Sequence, residues 1–337
     1  MFMIGALIIA IAASAISIKT LVGYTEMRSV YKILISLLIV SAWFAPVIIS
    51  VIRATAWGNT RFFAYVSDVG YFLFGIVFLL LILLLLRDFL WFFAYETAKL
   101  IKSPYAAALN PSDVRMLNLA NLYTVALTFL LGFYALYEGI KLPAVKEVTL
   151  ASPALKREYT LVQLSDLHIN RTIPPERIEK LVEKVNALEP DVILLTGDIG
   201  DDKVEAVGPQ MAALEELQSK YGIFAVFGNH EFYNGLMPWQ FKFGKMGWSA
   251  LFNYGLPVKD TELYVGGVPD VSIARGSPFF KIDVDRTLEN SSDGQYKILL
   301  SHTPRFQKEM ITKAQYDLQL SGHTHGGQIF PFHLLVK

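Results

Sequence analysis

The chain has 337 residues, of which 53% are hydrophobic and 18% are charged, and its formal net charge is zero. Soluble domains carry about a quarter charged residues, so this composition points to a membrane protein, and the lack of a basic excess argues against nucleic-acid binding. The chain contains no cysteine, which excludes disulfide bonds and thiolate metal sites.

Four apolar segments without charged residues lie in the N-terminal part of the chain, at residues 1–18, 33–52, 69–86 and 116–137. A helix needs about 20 apolar residues to cross a bilayer, with roughly 17 to 25 tolerated. We therefore expect residues 1–140 to form a domain of four transmembrane helices. Buried core helices are the alternative for the group, and a cleaved signal peptide is the alternative for the first segment, although that segment lacks a basic start.

The basic residues indicate an orientation for this domain. The flank before the first apolar segment has no basic side chain, whereas Lys19, Arg28 and Lys32 follow it in the loop that precedes the second segment. Basic loops stay in the cytoplasm, and four helices return the chain to its starting side. We expect an integral, multi-pass protein of the cell membrane with loops at 19–32 and 87–115 inside and the C-terminal domain outside the cytoplasm.

The composition changes after the fourth apolar segment. Residues 141–157 contain two prolines and charges of both signs, which is typical of a linker. Residues 158–337 contain frequent charges and no long apolar run. We expect this last part to be a separate domain.

Five short apolar segments in the C-terminal domain each end at a polar residue. The segments are YTLVQLS before Asp166, DVILLTG before Asp198, GIFAVFG before Asn229, YKILLS before His302 and YDLQLSG before His323. They read as buried strands, and apolar residues at helical spacing separate the first three. The pattern predicts an α/β fold whose polar residues meet beyond the carboxyl ends of the strands.

Five of the six histidines belong to these strand-end segments. Imidazole, carboxylate and amide oxygen are ligands for Mn, Fe or Zn. The set is too large for one ion, whereas two cations that share a bridging carboxylate would use it fully. The sequence therefore predicts two divalent metal ions as cofactors, with Mn preferred over Fe or Zn.

The motifs SDLH, TGDIGDD, GNHE, SHTP and SGHTHGGQ, in this order, resemble the calcineurin-like metallophosphoesterases. The membrane-anchored form with GHTHGGQ is similar to the bacterial branch related to YaeI and YkuE. The resemblance covers about residues 158–330 and implies an α/β sandwich of two mixed sheets flanked by helices. Family members continue for several tens of residues after GHTHGGQ, so we expect the last strands of that fold to be truncated here.

The resemblance also implies a role for each site residue. The implied metal ligands are Asp166, His168 and His325 on the first ion, Asn229, His302 and His323 on the second, and Asp198 as the bridge between them. His230 would be catalytic rather than a ligand, and would stabilise the phosphoryl oxygens or protonate the leaving group. Asp201 would orient these residues without binding metal itself, although the neighbouring Asp202 leaves that assignment open.

The implied function is a membrane-anchored phosphohydrolase that cleaves phosphomonoesters or phosphodiesters with a hydroxide held between two metals. The membrane anchor suggests a membrane lipid as substrate, such as a lipid-linked pyrophosphate, and the expected partners are this phosphate ester and the lipid bilayer, without nucleic acid. One alternative is a non-catalytic phosphate sensor that uses the same metal site. A transporter is disfavoured because the apolar segments contain no charge.

Overall fold

The computed structural model describes residues 2–272, 281–304, 316–327 and 334, and the chain divides into two compact units, Met1–Lys141 and Leu142–Lys337. In the described part of the first unit, four helices are long and apolar enough to cross a membrane. They are α1 (Phe2–Ile18), α2 (Ser29–Arg53), α3 (Arg61–Leu100) and α4 (Val114–Ile140). Apart from Met1, which lies outside the described residues, the predicted apolar segments fall within these helices.

Most side chains of the four helices are not buried within the protein. Only 22–28% of the residues in each apolar stretch are buried within the protein. Leu37 on α2 and Leu130 on α4 are 61% and 68% exposed. An apolar surface of this extent is unstable in water, which is the physical reason to place this unit in lipid.

The third helix is longer than its apolar segment. The loop predicted at residues 87–115 is wrong in its first part, because α3 continues to Leu100 and has 40 residues. At 1.5 Å per residue, such a helix is about 60 Å long, about twice the thickness of the hydrocarbon layer. The α3 helix is therefore longer than a single bilayer crossing requires.

The contacts of two charged residues inside α3 explain why the helix continues past the end of its apolar segment. Arg87 donates from Nε to Asp88 Oδ1 at 2.9 Å and from Nη1 to Asn121 Oδ1 on α4 at 2.5 Å. Asn121 Nδ2 in turn donates to the carbonyl of Leu21 at 3.0 Å. Because the charges are partnered and no glycine or proline lies between residues 76 and 100, the helix continues through them.

The second unit contains two four-stranded sheets in its described part. Sheet one has the order β1 (Leu161–Leu164), β2 (Val192–Leu195), β3 (Ile223–Ala225) and β4 (Ser249–Ala250), with every pair parallel. Sheet two has the order β5 (Tyr254–Pro257), β6 (Leu263–Gly267), β7 (Tyr296–Leu300) and β8 (Leu318–Leu320). The first pair of sheet two is antiparallel and the others are parallel. The five predicted strands are confirmed as β1, β2, β3, β7 and β8.

The α-helices in the described residues of this unit are α5 (Pro175–Asn186), α6 (Gly208–Leu214), α7 (Asn229–Tyr233) and α8 (Leu236–Lys245). The α5 helix starts at a proline, which has no amide hydrogen to leave unpaired in the first turn. Its apolar residues at helical spacing, such as Ile178 and Val185, are buried against sheet one.

Strand β2 is buried on both faces. Ile193 and Leu195 pack in the core that sheet one forms with the helices. Val192 and Leu194 point the other way, into the core that the two sheets share. Alternation with a period of two places these neighbours on opposite faces, so the layer order is helices, sheet one, sheet two. The predicted α/β sandwich with flanking helices is thereby confirmed.

The helical unit makes a topology prediction. Trp57 and Tyr105 are 70% and 72% exposed and lie in the connections at opposite ends of α3. The chain has no cysteine, so Trp57→Cys and Tyr105→Cys each provide a single thiol. If α3 crosses the membrane, a membrane-impermeant maleimide applied to intact cells should label one variant and not the other. Permeabilised cells are the control, in which both should react, and equal labelling of intact cells would contradict a single crossing by α3.

Candidate metal centre

The polar residues predicted as ligands follow the carboxyl ends of strands from both sheets. Asp166 and His168 follow β1, Asp198 follows β2, and Asn229 begins the helix after β3. His302 follows β7, and His323 and His325 follow β8. Parallel strands bring their carboxyl ends to one edge of the sheet, so two stacked sheets together supply the donors.

Three groups of donor atoms come together at this edge, and within each group the atoms lie within 4.8 Å of one another. The groups are Asp166, His168 and His325, then His168, Asp198 and His230, then Asp198, His302 and His323. Asp198 and His168 each belong to two groups. Overlapping groups of this kind suit two cations that lie close together and share a carboxylate.

The donor spacing matches that of ligands around one ion. His168 Nε2 lies 3.1 Å from His325 Nε2, which lies 3.2 Å from Asp166 Oδ1. On the other side, His302 Nε2 lies 3.1 Å from both Asp198 Oδ2 and His323 Nδ1. Two ligands at about 2.1 Å from one metal at a right angle are about 3 Å apart. The residues present therefore fit a pair of divalent ions.

His302 is oriented as a metal ligand would be. Its side chain is fully buried, and Nδ1 lies 2.8 Å from the carbonyl oxygen of Thr196. A carbonyl can only accept, so Nδ1 carries the hydrogen and Nε2 keeps its lone pair for the centre. Burial alone would lower the pKa of His302, but the Asp198 carboxylate raises that pKa to about 9. The centre thus favours positive charge on this nitrogen, whether from a proton or from a metal.

Asn229 supplies an independent indication. Asn229 as a whole is 8% exposed, and its Oδ1 is one of four buried side-chain atoms without a hydrogen-bond partner among the described residues. An unpaired buried oxygen is costly. A metal ion would satisfy this oxygen, which supports the prediction of Asn229 as a ligand.

The two aspartates of the donor groups are held ionised. Burial would raise the pKa of Asp166, but hydrogen bonds with His325 and Ser165 lower that pKa to about 2. Burial would likewise raise the pKa of Asp198, but His302 and the backbone N–H of His230 bring it below its usual value. Both carboxylates are therefore available as anionic ligands at neutral pH.

The backbone at several predicted ligands has positive φ angles. Nine non-glycine residues in the described ranges have a positive φ, and five of them are predicted ligands: Asp166, His168, Asp198, His323 and His325. Left-handed backbone costs about 1–3 kcal/mol per non-glycine residue and concentrates at functional sites. This clustering could not be read from the sequence, where the flanking glycines were the only signal.

His230 and Asp201 form a pair beside the donors. His230 Nδ1 bonds to Asp201 Oδ1, which leaves Nε2 on the side of the centre, 3.9 Å from Asp198 Oδ2. Burial would lower the pKa of His230, but the Asp201 carboxylate raises it above its usual value. Asp202 instead binds Arg171 through both carboxylate oxygens at 2.5 Å. The structure thus places Asp201, and not Asp202, against the site.

Glu231 joins two of the ligand loops, a role that the sequence did not reveal. Its side chain is completely buried. Oε2 accepts from the backbone N–H groups of Asp198 at 3.0 Å and Gly228 at 2.8 Å, and Oε1 accepts from that of Gly200 at 2.9 Å. A Cβ at Gly228 would overlap the Asp198 carboxylate. The buried carboxylate therefore fixes the loop of Asp198 against the loop of Asn229.

Replacing Glu231 with Gln should weaken metal binding. The amide would place an N–H group against one of the three backbone N–H donors, so the loop of Asp198 would shift. Loss of such supporting contacts costs about 10- to 100-fold in metal affinity. The measurement is a Mn²⁺ titration of the purified full chain, with circular dichroism to confirm folding. Glu183→Gln, on the exposed side of α5, is the matched control, and equal affinity in both variants would contradict the role of Glu231.

Comparisons with known proteins agree with this geometry. The family model of the calcineurin-like phosphoesterases matches residues 159–327, half of the chain. An uncharacterised metallophosphoesterase of Helicobacter pylori is 34% identical over 215 residues, which are 62% of this chain and 56% of that protein. A transmembrane protein with a metallophosphoesterase domain from Bos taurus is 30% identical over 234 residues, 65% of this chain and 53% of that protein.

YkuE of Bacillus subtilis, an uncharacterised metallophosphoesterase, is 30% identical over 188 residues, 52% of this chain and 61% of that protein. The chain therefore spans between half and two thirds of the length of these three relatives. The predicted resemblance to this family and to YkuE is confirmed. From the match over residues 159–327, the chain belongs to the calcineurin-like phosphoesterase family.

Proposed function

We propose that the chain is a membrane-anchored, dinuclear-metal phosphohydrolase of phosphomonoesters or phosphodiesters. Family membership implies divalent metal ions and phosphoesterase chemistry. The observation that carries the dinuclear form is the overlap of the donor groups, because Asp198 lies within reach of ligands on both sides. Two bound divalent cations would bring water to phosphorus and neutralise the charge that develops there.

The proposed ligand sets follow the spacing of the carboxylate and histidine donors, and Asn229 is added because its buried Oδ1 has no partner among the described residues. Asp166, His168 and His325 would hold one ion, and Asn229, His302 and His323 would hold the other. Asp198 would be shared by the two. Mixed nitrogen and oxygen donors suit Mn, and also Fe or Zn, and of these we propose Mn.

His230 is the proposed catalytic residue. Asp201 occupies its Nδ1, so Nε2 is the nitrogen that can reach a substrate bound at the donors. When the ring is protonated, Nε2 donates its proton to the leaving oxygen while Nδ1 keeps its hydrogen bond to Asp201. The alternative role for the same Nε2–H is to stabilise the charge on the phosphoryl oxygens.

The four long apolar helices and the transmembrane relatives indicate membrane association. We propose that the substrate is a phosphate ester carried by a membrane lipid, including a lipid-linked pyrophosphate, because membrane association keeps the C-terminal unit close to such molecules. We also propose that this unit lies outside the cytoplasm. In that case Trp57→Cys is the variant that an impermeant maleimide labels, and labelling of Tyr105→Cys alone would reverse the orientation.

Asp198→Asn should abolish turnover of p-nitrophenyl phosphate and bis-p-nitrophenyl phosphate, measured with Mn²⁺, because the bridging charge is lost. Asp260→Asn is the matched control, since Asp260 also has a positive φ but lies exposed outside the donor groups. Its turnover should equal that of the parent. Equal turnover in the Asp198 variant would contradict the proposed mechanism.

His230→Ala should separate catalysis from metal binding. Loss of a general acid lowers the rate by about 10²- to 10⁴-fold, whereas the metal content of the purified protein should remain that of the parent. Loss of metal together with rate would make His230 a ligand instead. A parent protein that binds metal and phosphate without turning over either ester would favour the sensor over the enzyme.

A further inference from the structure

The α8 helix has two apolar faces. Trp239 and Phe243 point inward and are completely buried in the core beneath sheet one. Met237 and Phe241 lie on another face, and they are 68% and 66% exposed. Residues four apart on a helix are neighbours on its surface, so these two side chains form a continuous exposed apolar strip.

This strip lies close in the chain to the proposed catalytic residue. Tyr233, the last residue of α7, is 66% exposed, and its ring centroid lies 5.9 Å from that of His230. In the described part of residues 159–337, the large exposed apolar side chains are Tyr233, Met237, Phe241, Tyr254 and Leu334. Three of these five fall within nine residues. Single exposed apolar residues are ordinary on soluble domains, but a cluster of them marks an interaction surface.

The charged residues on α8 are Lys242 and Lys245, and Lys242 pairs with Glu215 Oε1 at 2.5 Å. Lys245 is exposed one turn after Phe241, with its Nζ 4.7 Å from the centre of the Phe241 ring. Apolar side chains combined with lysine are the pattern of a helix that lies in the headgroup layer of an anionic membrane.

We infer that Met237, Phe241 and Lys245 of α8, together with Tyr233, form a surface that inserts into the headgroup layer of a bilayer containing anionic phospholipid. This surface is named the α8 membrane face. A bilayer is the occupant best supported, since the same chain carries four helices suited to membrane crossing, and since Lys245, which lies against Phe241, complements anionic headgroups. The inference rests on the proposed function only in giving the surface a purpose, which is to hold the site next to phosphate esters in the lipid layer.

The absence of cysteine allows a direct measurement on the full chain. Met237→Cys is labelled with an environment-sensitive fluorophore and reconstituted into vesicles of phosphatidylcholine and phosphatidylglycerol that contain a nitroxide-labelled lipid. Lys180→Cys, on the exposed side of α5, carries the same label as the control. Insertion into the headgroup layer predicts quenching at position 237 that exceeds quenching at position 180 by about threefold or more.

Equal quenching at both positions would overturn the α8 membrane face. Quenching that is no greater with phosphatidylglycerol than in pure phosphatidylcholine would overturn its anionic lipid partner. A blue-shifted emission without nitroxide quenching would assign the surface to contact with a second copy of the chain, which also overturns the inference.

A second variant distinguishes loss of membrane contact from unfolding of the protein. Phe241→Asp in the labelled Met237→Cys chain should reduce the quenching to the level of the control, while turnover of p-nitrophenyl phosphate stays within about twofold of the labelled chain without it. Persistent quenching would overturn the inference. If the parent turns over no p-nitrophenyl ester, the proposed function fails, and the fluorescence still decides the α8 membrane face by itself.

Discussion

The packing of strand β2 on both faces is the constraint from which the C-terminal unit follows. Ile193 and Leu195 are buried against the helices, while Val192 and Leu194 are buried against sheet two. Sheet one is thereby fixed between two layers, and its carboxyl edge meets that of sheet two. Donors that are more than 150 residues apart in sequence, such as Asp166 and His325, reach hydrogen-bond distance only because of this stacking.

The free energy gained by burying the apolar cores offsets the backbone strain and carboxylate burial at the candidate metal centre. Several of the proposed ligands adopt left-handed backbone, and Asp198 and Glu231 are buried carboxylates. Glu231 carries no metal-binding role in the proposed scheme, yet it accepts three backbone N–H groups from the loops that hold Asp198 and Asn229. Preorganisation of this kind means that the ligands need little rearrangement when a cation binds.

The sequence predicted the parts that follow from pattern. The apolar composition and length of the segments identified β1, β2, β3, β7 and β8, and their polar ends identified the donors. Strands β5 and β6 were not identified, because they contain Gly255, Gly266 and Gly267, which weaken a strand signal. The length of α3 was missed because Arg87 and Asp88 look like a helix boundary until the hydrogen bond from Arg87 to Asn121 is known. The choice between Asp201 and Asp202 likewise required the contact with His230, which no spacing rule provides.

The central claim is that distant segments converge to hold two cations that share Asp198. An X-ray anomalous difference map at the manganese edge, from crystals of the full chain grown with Mn²⁺, tests it most directly. The account predicts two peaks about 3.5–4 Å apart, one on each side of the Asp198 carboxylate. A single peak, or peaks remote from Asp198, would contradict it.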